Sequence, residues 1–398
     1  ELVVKVGVNI QKNQFLYISA STDALDLARL ITKKAYEAGA RQVFVDLADD
    51  QIGRARYELA PDDSFDFFPE WKVKEREWLA EQGAAFVSIV SQSPDLLKGI
   101  DSKRIATFQK AAGTALNKYR QYVQSDKISW TVIASPSEAW AEKVFPNLPK
   151  EKQVDALWDA IFKATRSDLD NPVEAWTKHN DTLHEKVHYL NAKKYAKLHY
   201  TAPGTDLTIE LPKGHLWCGA GSVNEKGEEF MANMPTEEVF TVPHKDGVNG
   251  YVSSTKPLSY GGNIIDNFKI TFENGRITKV EAEQGEEVLK NLVATDEGSH
   301  RLGEVALVPH DSPISNSGLL FYNTLFDENA SNHLAIGSAY AFCLEGGKKM
   351  NREELEANGL NQSITHVDFM IGSAEMNIDG ITEDGKTEPV FRNGNWAF

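Results

Sequence analysis

Gln14-Phe15-Leu16-Tyr17-Ile18-Ser19 is a short apolar-rich run of strand length, and residues 23–38 then place apolar side chains at helical spacing up to a stop at Gly39. Residues 42–47 are the next strand, and the alternation continues with a helix over 70–82, a strand over 84–90, a helix over 104–124 and a strand over 129–134. Strands alternating with helices of this length imply βαβ units, hence a parallel sheet covered on both faces. Many such sheets bind nucleotides. Here the first strand runs into Ser19-Ala20-Ser21-Thr22-Asp23, which lacks the glycines of a pyrophosphate-binding turn, and no GxxxxGK[ST] occurs in the chain. A nucleotide cofactor is therefore not expected, and this half reads as a structural or substrate-gating α/β domain. Its first histidine is His179.

At 398 residues the chain exceeds one typical core, so two domains are expected, 1–190 and 191–398. A formal net charge of −16 leaves no basic surplus for phosphates, which argues against nucleic acid or an anionic membrane as partner and weakly favours cationic substrates. No apolar run reaches the roughly 20 residues that span a bilayer. Cys218 and Cys343 are too few and too far apart for a disulfide framework, which fits a reducing compartment, and the chain is read as cytoplasmic. It shows no signal peptide, although it opens in mid-pattern at Glu1-Leu2-Val3-Val4 without Met, leaving room for a preceding piece.

Residues 135–190 are helical in pattern, anchored by Trp140, Trp158 and Trp176, and read as a bridge between the domains. Within them, His184-Glu185-Lys186-Val187-His188 matches HExxH, which on a helix sets two imidazoles on one face beside a glutamate. Lys186 would put a cation next to a dication, and no third-ligand motif follows. A solvated helix face is the preferred reading.

After Asn191 the pattern changes to short strands over 197–201, 207–211 and 248–253. Residues 268–273 and 276–281 flank Asn274-Gly275, a two-residue turn that tolerates positive φ and marks a β-hairpin. A short helix over 286–293, strands over 305–308 and 367–371, and a final strand near Val390-Phe391 complete an α+β domain rich in antiparallel strands.

Between Asn233 and Asp368 lie ionisable groups set among Val, Leu, Phe and Ala: Glu238, Glu304, Glu328, His333, His366 and Asp368. Each costs several kcal/mol to bury unless paired, and a divalent cation pairs several anions at once. A metal site is the central expectation. Glu237-Glu238 precede a β-branched, aromatic run and so sit at a strand entrance, or else open a helix. Glu304 heads an apolar strand. His366 and Asp368 are two apart in a strand-like run, so both point to one face. Glu328 and His333 are five apart, which places Glu328 in a loop and His333 at the start of a helix through Ala341.

The stretches 233–241, Arg301-Leu302-Gly303-Glu304, Asn332-His333-Leu334-Ala335-Ile336-Gly337 with Tyr340, and 366–372 resemble the thermophilic metallo-aminopeptidase family of the aminopeptidase T, aminopeptidase S and PepS type. Residues 6–11 and 198–207 extend the resemblance over essentially the whole chain. It implies that Glu238, Glu304, Glu328, His333, His366 and Asp368 surround two divalent metal ions, that Tyr340 lies close to the reacting centre, and that the enzyme is a homodimer with an enclosed site. It gives HExxH no role.

Such an oxygen-rich, imidazole-containing set suits Zn, Co, Mn or Mg, with Glu304 as the expected bridge between ions roughly 3.5 to 4 Å apart. Water activated by the ions would attack the scissile carbonyl, Tyr340 would help stabilise the oxyanion, and Glu237 is a candidate general base. The free amine of a peptide's first residue would coordinate the second metal or meet surplus carboxylate, which would enforce cleavage at that residue. Two alternatives remain from the sequence: another dinuclear hydrolase, such as a phosphatase, and a non-catalytic peptide-binding protein pinned by a metal. The carboxylate-rich set, unlike the closed Cys and His shells of structural sites, favours catalysis.

Overall fold

The computed structural model describes residues 1–398 and divides the chain into two compact units. The first comprises Glu1–Asp181, Ala220–Thr236 and Gly261–Asn263. Its centre is a four-stranded sheet of β1 (Phe15–Ser21), β2 (Gln42–Ala48), β3 (Ala85–Val90) and β4 (Trp130–Ala134), in the order β2-β1-β3-β4. Every pairing is parallel, as strand-helix alternation requires. The helix Leu25–Glu37 turns Ala28, Ile31 and Ala35 inward, at i, i+3 and i+7. These side chains join Val4, Leu16, Ile18, Val87, Ile133 and Trp176 in one core.

The helical segment expected over 104–124 is two helices, Ser102–Ala115 and Asn117–Gln124, separated at Leu116. A further helix, Asp50–Leu59, was not anticipated; Asp49 caps it by accepting the Ile52 N–H. Residues 135–190 contain the helices Glu138–Val144 and Lys150–Ala164 and most of Pro172–Lys193.

The second unit comprises Thr182–Gly219, Glu237–Tyr260 and Ile264–Phe398. A nine-stranded sheet includes Lys197–Ala202, Thr205–Glu210, Val248–Ser253 and the hairpin of Asn263–Glu273 with Arg276–Gln284. Asn274 and Gly275 have φ of 48° and 80°, the paired positive values of a tight hairpin turn. Asn377–Ile381, also in this sheet, carries the poor strand formers Asp379 and Gly380 and had no strand signature.

A five-stranded sheet carries β5 (Cys218–Gly219), β6 (Val239–Thr241), β7 (Leu302–Leu307), β8 (His333–Gly337) and β9 (His366–Met370), ordered β9-β8-β7-β6-β5 and antiparallel throughout. His333 thus opens a strand, which corrects the helix expected through Ala341. Every residue of β8 is buried, so its Leu334-Ala335-Ile336 run lacks the polar alternation that distinguishes a strand. The strand ends at Gly337, whose φ is +115° and where an added Cβ would lie 2.2 Å from the Thr365 carbonyl oxygen.

Candidate metal centre

Cross-strand register on the five-stranded sheet gathers the site. Glu304 on β7 lies opposite Ala335, and Ala335 opposite Asp368 on β9, so these three side chains share one face. His333 is two residues before Ala335 and faces the same way, as does His366, which pairs with Gly337. Ala335 and Gly337 are the smallest residues available, and they leave room between Glu304 and the β9 pair. Glu238, at the entrance of β6, brings its Oε2 to 2.8 Å from His333 Nε2.

The ligand atoms fall into two groups. Glu238, Glu304 and His333 form one and Glu304, His366 and Asp368 the other, each with its ligand atoms within 4.8 Å of one another. Glu304 belongs to both: its Oε1 is 3.6 Å from His333 Nε2 and its Oε2 is 3.4 Å from His366 Nε2.

Both imidazoles are held from behind. His333 Nδ1 is 3.0 Å from the Ser331 carbonyl oxygen, and His366 Nδ1 is 2.7 Å from that of Ser338. A carbonyl oxygen only accepts, so each Nδ1 carries the hydrogen and each Nε2 is presented to the carboxylates. This is the tautomer a metal-ligating histidine takes when bound through Nε2. Glu238 Oε2 and Asp368 Oδ1 are buried and make no hydrogen bond, although each lies near an imidazole nitrogen. Buried carboxylate oxygens whose close polar neighbours are imidazole nitrogens are a donor set that fits a divalent cation.

The electrostatics agree. Burial pushes Glu238 upward, opposed by His333 and reinforced by the charges of Glu304 and Asp368. Burial, then Asp368, lifts Glu328 well above the carboxylate range. Burial would also raise Glu304, but His333 and His366 outweigh it and hold this carboxylate at about 2. Burial disfavours charge on the imidazoles, yet Glu238 and Glu304 raise His333, and Asp368 and Glu304 raise His366, well above the usual histidine value. Protons and a divalent cation would therefore compete for the same carboxylate and imidazole atoms.

The other candidates take different positions. Glu328 is buried in the short turn Glu328–Ala330, outside both three-ligand groups. Asn329 Nδ2 approaches Glu328 Oε1 at 3.4 Å, and Asn329 Oδ1 accepts the Glu237 N–H at 2.7 Å. Glu237 itself is buried. The Tyr340 ring lies 4.8 Å from that of His366, and burial, followed by the field of Glu304 and Asp368, keeps its hydroxyl protonated. Ser331, Ser338 and Asn329 had no spacing signal: the two serines act through backbone carbonyls, which every residue has.

HExxH lies on Pro172–Lys193, with Leu183, Val187 and Leu190 on the buried face. The His184 and His188 rings are 6.3 Å apart, and neither belongs to a three-ligand group. Lys186 turns away to donate to the Phe398 carbonyl at 3.0 Å. Both cysteines are free. No helix is long and apolar enough to cross a membrane.

A carboxylate and imidazole cluster on a buried sheet face, with the imidazole tautomers fixed by backbone carbonyls, is a candidate centre for a divalent metal ion. The model of the thermophilic metalloprotease family (M29) matches residues 1–396. The chain is 68% identical over 398 residues to aminopeptidase AmpS of Bacillus subtilis (strain 168), covering 100% of this chain and 97% of that protein. It is 53% identical to aminopeptidase 2 of Geobacillus stearothermophilus, covering 100% and 96%. The solved structure of wild-type AmpT from Thermus thermophilus superposes with a TM-score of 0.90 at 42% identity, covering 100% of this chain and 97% of that one. The chain belongs to the thermophilic metalloprotease family and is a peptide hydrolase, with the α/β and antiparallel-rich α+β architecture that the strand pattern indicated.

Proposed function

We propose that this peptidase is an aminopeptidase that releases the first residue of peptides with a free amino terminus, using two divalent ions that share Glu304. The observation that carries the two-ion reading is the double membership of Glu304, one carboxylate oxygen toward each imidazole. Glu238 and His333 complete one group, and His366 and Asp368 the other, with Glu328 as a flanking carboxylate. When bound, Zn, Co, Mn or Mg supplies Lewis acidity and lowers the pKa of water at the centre.

The chain's own groups do the rest. Ser331 and Ser338 hold the imidazoles with Nε2 forward. Tyr340, kept as O–H by its surroundings, donates to the oxygen on which charge develops. Glu237, tethered through its N–H to Asn329, takes the proton of the attacking water. Carboxylate beyond the needs of the ions receives the α-ammonium of the first residue, which confines cleavage to the first peptide bond. The free cysteines suit a reducing cytoplasm, and the family resemblance adds a homodimer.

The test compares unblocked peptides with their N-acetylated forms, before and after chelation and metal add-back. Cleavage of the unblocked forms alone, lost on chelation and restored by metal, supports the reading; equal cleavage of acetylated peptides contradicts it.

A further inference from the structure

The face of the five-stranded sheet that bears the ligands does not end with them. Phe240 on β6 lies opposite Ala306, and Ala306 opposite His333, so Phe240 stands in the same row as a ligand. Cys218 continues that row on β5. Two further rings meet Phe240. Tyr340 and Phe342 stack at 5.1 Å with planes 22° apart, and Phe240 approaches them edge-on at 6.0 and 6.1 Å. Tyr340 in turn rests against His366 at 4.8 Å. An aromatic cluster therefore adjoins the ionisable one without a break.

Behind these rings a small core of Val242, Ala339, Cys343, Leu344, Leu355 and Leu360 is buried, while Phe240, Phe342, Cys218 and Met350 remain only partly covered. Large aromatic side chains left half-covered beside a reaction centre offer apolar contact to a ligand. Cys218 and Met350 add polarisable, adaptable sulfur. In an aminopeptidase the first side chain branches from the carbon next to the scissile carbonyl. It must therefore land within a side chain's length of the ligand cluster.

We propose that Phe240 and Phe342, flanking Tyr340, form the wall that receives the side chain of the substrate's first residue and select large apolar side chains there. The proposal rests on the aminopeptidase reading and names its substrate class.

The test measures kcat/KM of the metal-loaded protein on leucyl, phenylalanyl, alanyl and lysyl p-nitroanilides, for the wild type, Phe240→Ala, Phe342→Ala, and Phe240→Leu and Phe342→Leu. The wild type is expected to prefer leucine and phenylalanine. The leucine-to-alanine ratio should fall about tenfold or more in the alanine variants and recover in the leucine variants, since a pocket discriminates by the methylenes it contacts. A ratio unchanged in both alanine variants, with anilides still cleaved, overturns the wall but leaves the aminopeptidase reading standing. A wild type that prefers alanine or lysine overturns it without any variant. No cleavage of any anilide rejects the aminopeptidase reading, and the wall with it.

Discussion

His366 donates its Nδ1 hydrogen to the Ser338 carbonyl oxygen at 2.7 Å, and His333 does the same to Ser331 at 3.0 Å. Each Nε2 then has one lone pair, for which a proton and a metal ion compete. Metal binding should accordingly release protons.

The pH dependence follows in sign. Glu238, Glu328, His333 and His366 all have raised pKa values in the cation-free fold. Their stabilisation is complete below the unfolded values, about 4.3 for Glu and about 6.5 for His, and is lost as pH rises through the raised ones. Glu304, held at about 2, keeps its contribution throughout this range. The gap in melting temperature between metal-loaded and metal-free protein should therefore widen from pH 5.5 to 8. Calorimetry at the two pH values checks this, and a gap that narrows contradicts it.

Tyr340 is kept protonated by burial and by neighbouring carboxylates. Tyr340→Phe removes the donor while keeping the ring against His366 and Phe342. A loss of about 10²- to 10³-fold in kcat is expected, as for a lost oxyanion donor, with metal content unchanged. Steady-state kinetics beside metal analysis separates this from a structural effect, which would alter both.

The HExxH pair sits on a helix face apart from both three-ligand groups. A His184→Ala/His188→Ala double variant should keep kcat within about twofold and melt within a few degrees of the wild type, as surface changes do. Loss of activity together with bound metal would move the catalytic site to this helix.

Gly337 holds the end of β8 at φ +115°, against the Thr365 carbonyl. Gly337→Ala should destabilise by about 3 kcal/mol, since a Cβ there collides with backbone that cannot swing away. Denaturant unfolding measures this, and a change under 1 kcal/mol would mean that the β8–β9 contact yields more readily than its geometry implies.

Much of the fold was legible because its signals are local. The βαβ alternation, the Asn274-Gly275 turn and the period-2 relation of His366 to Asp368 each need only a few consecutive residues. The strand opening at His333 was not: Leu334-Ala335-Ile336 is buried on both faces, and short apolar runs of that kind suit helix and strand alike. Leu116 divides two helices, and the only nearby helix breaker, Gly113, lies inside the first of them rather than at the junction. At the centre, the ionisable side chains stood out by chemistry. The Glu304-Ala335-Asp368 row that assembles them comes from pairing between distant strands, and the Ser331 and Ser338 carbonyls carry no residue-type signal.

The most direct test is a titration of metal-stripped protein with Zn or Co, following bound metal per chain and release of leucine from an unblocked leucyl peptide, alongside Glu304→Gln. Activity should reach its plateau at two equivalents per chain, and Glu304→Gln should lose roughly 10³-fold or more in kcat with at least one ion bound weakly, as for a group acting within a unit. A plateau at one equivalent, or a Glu304→Gln variant that binds two ions tightly and remains active, would contradict the two-ion centre.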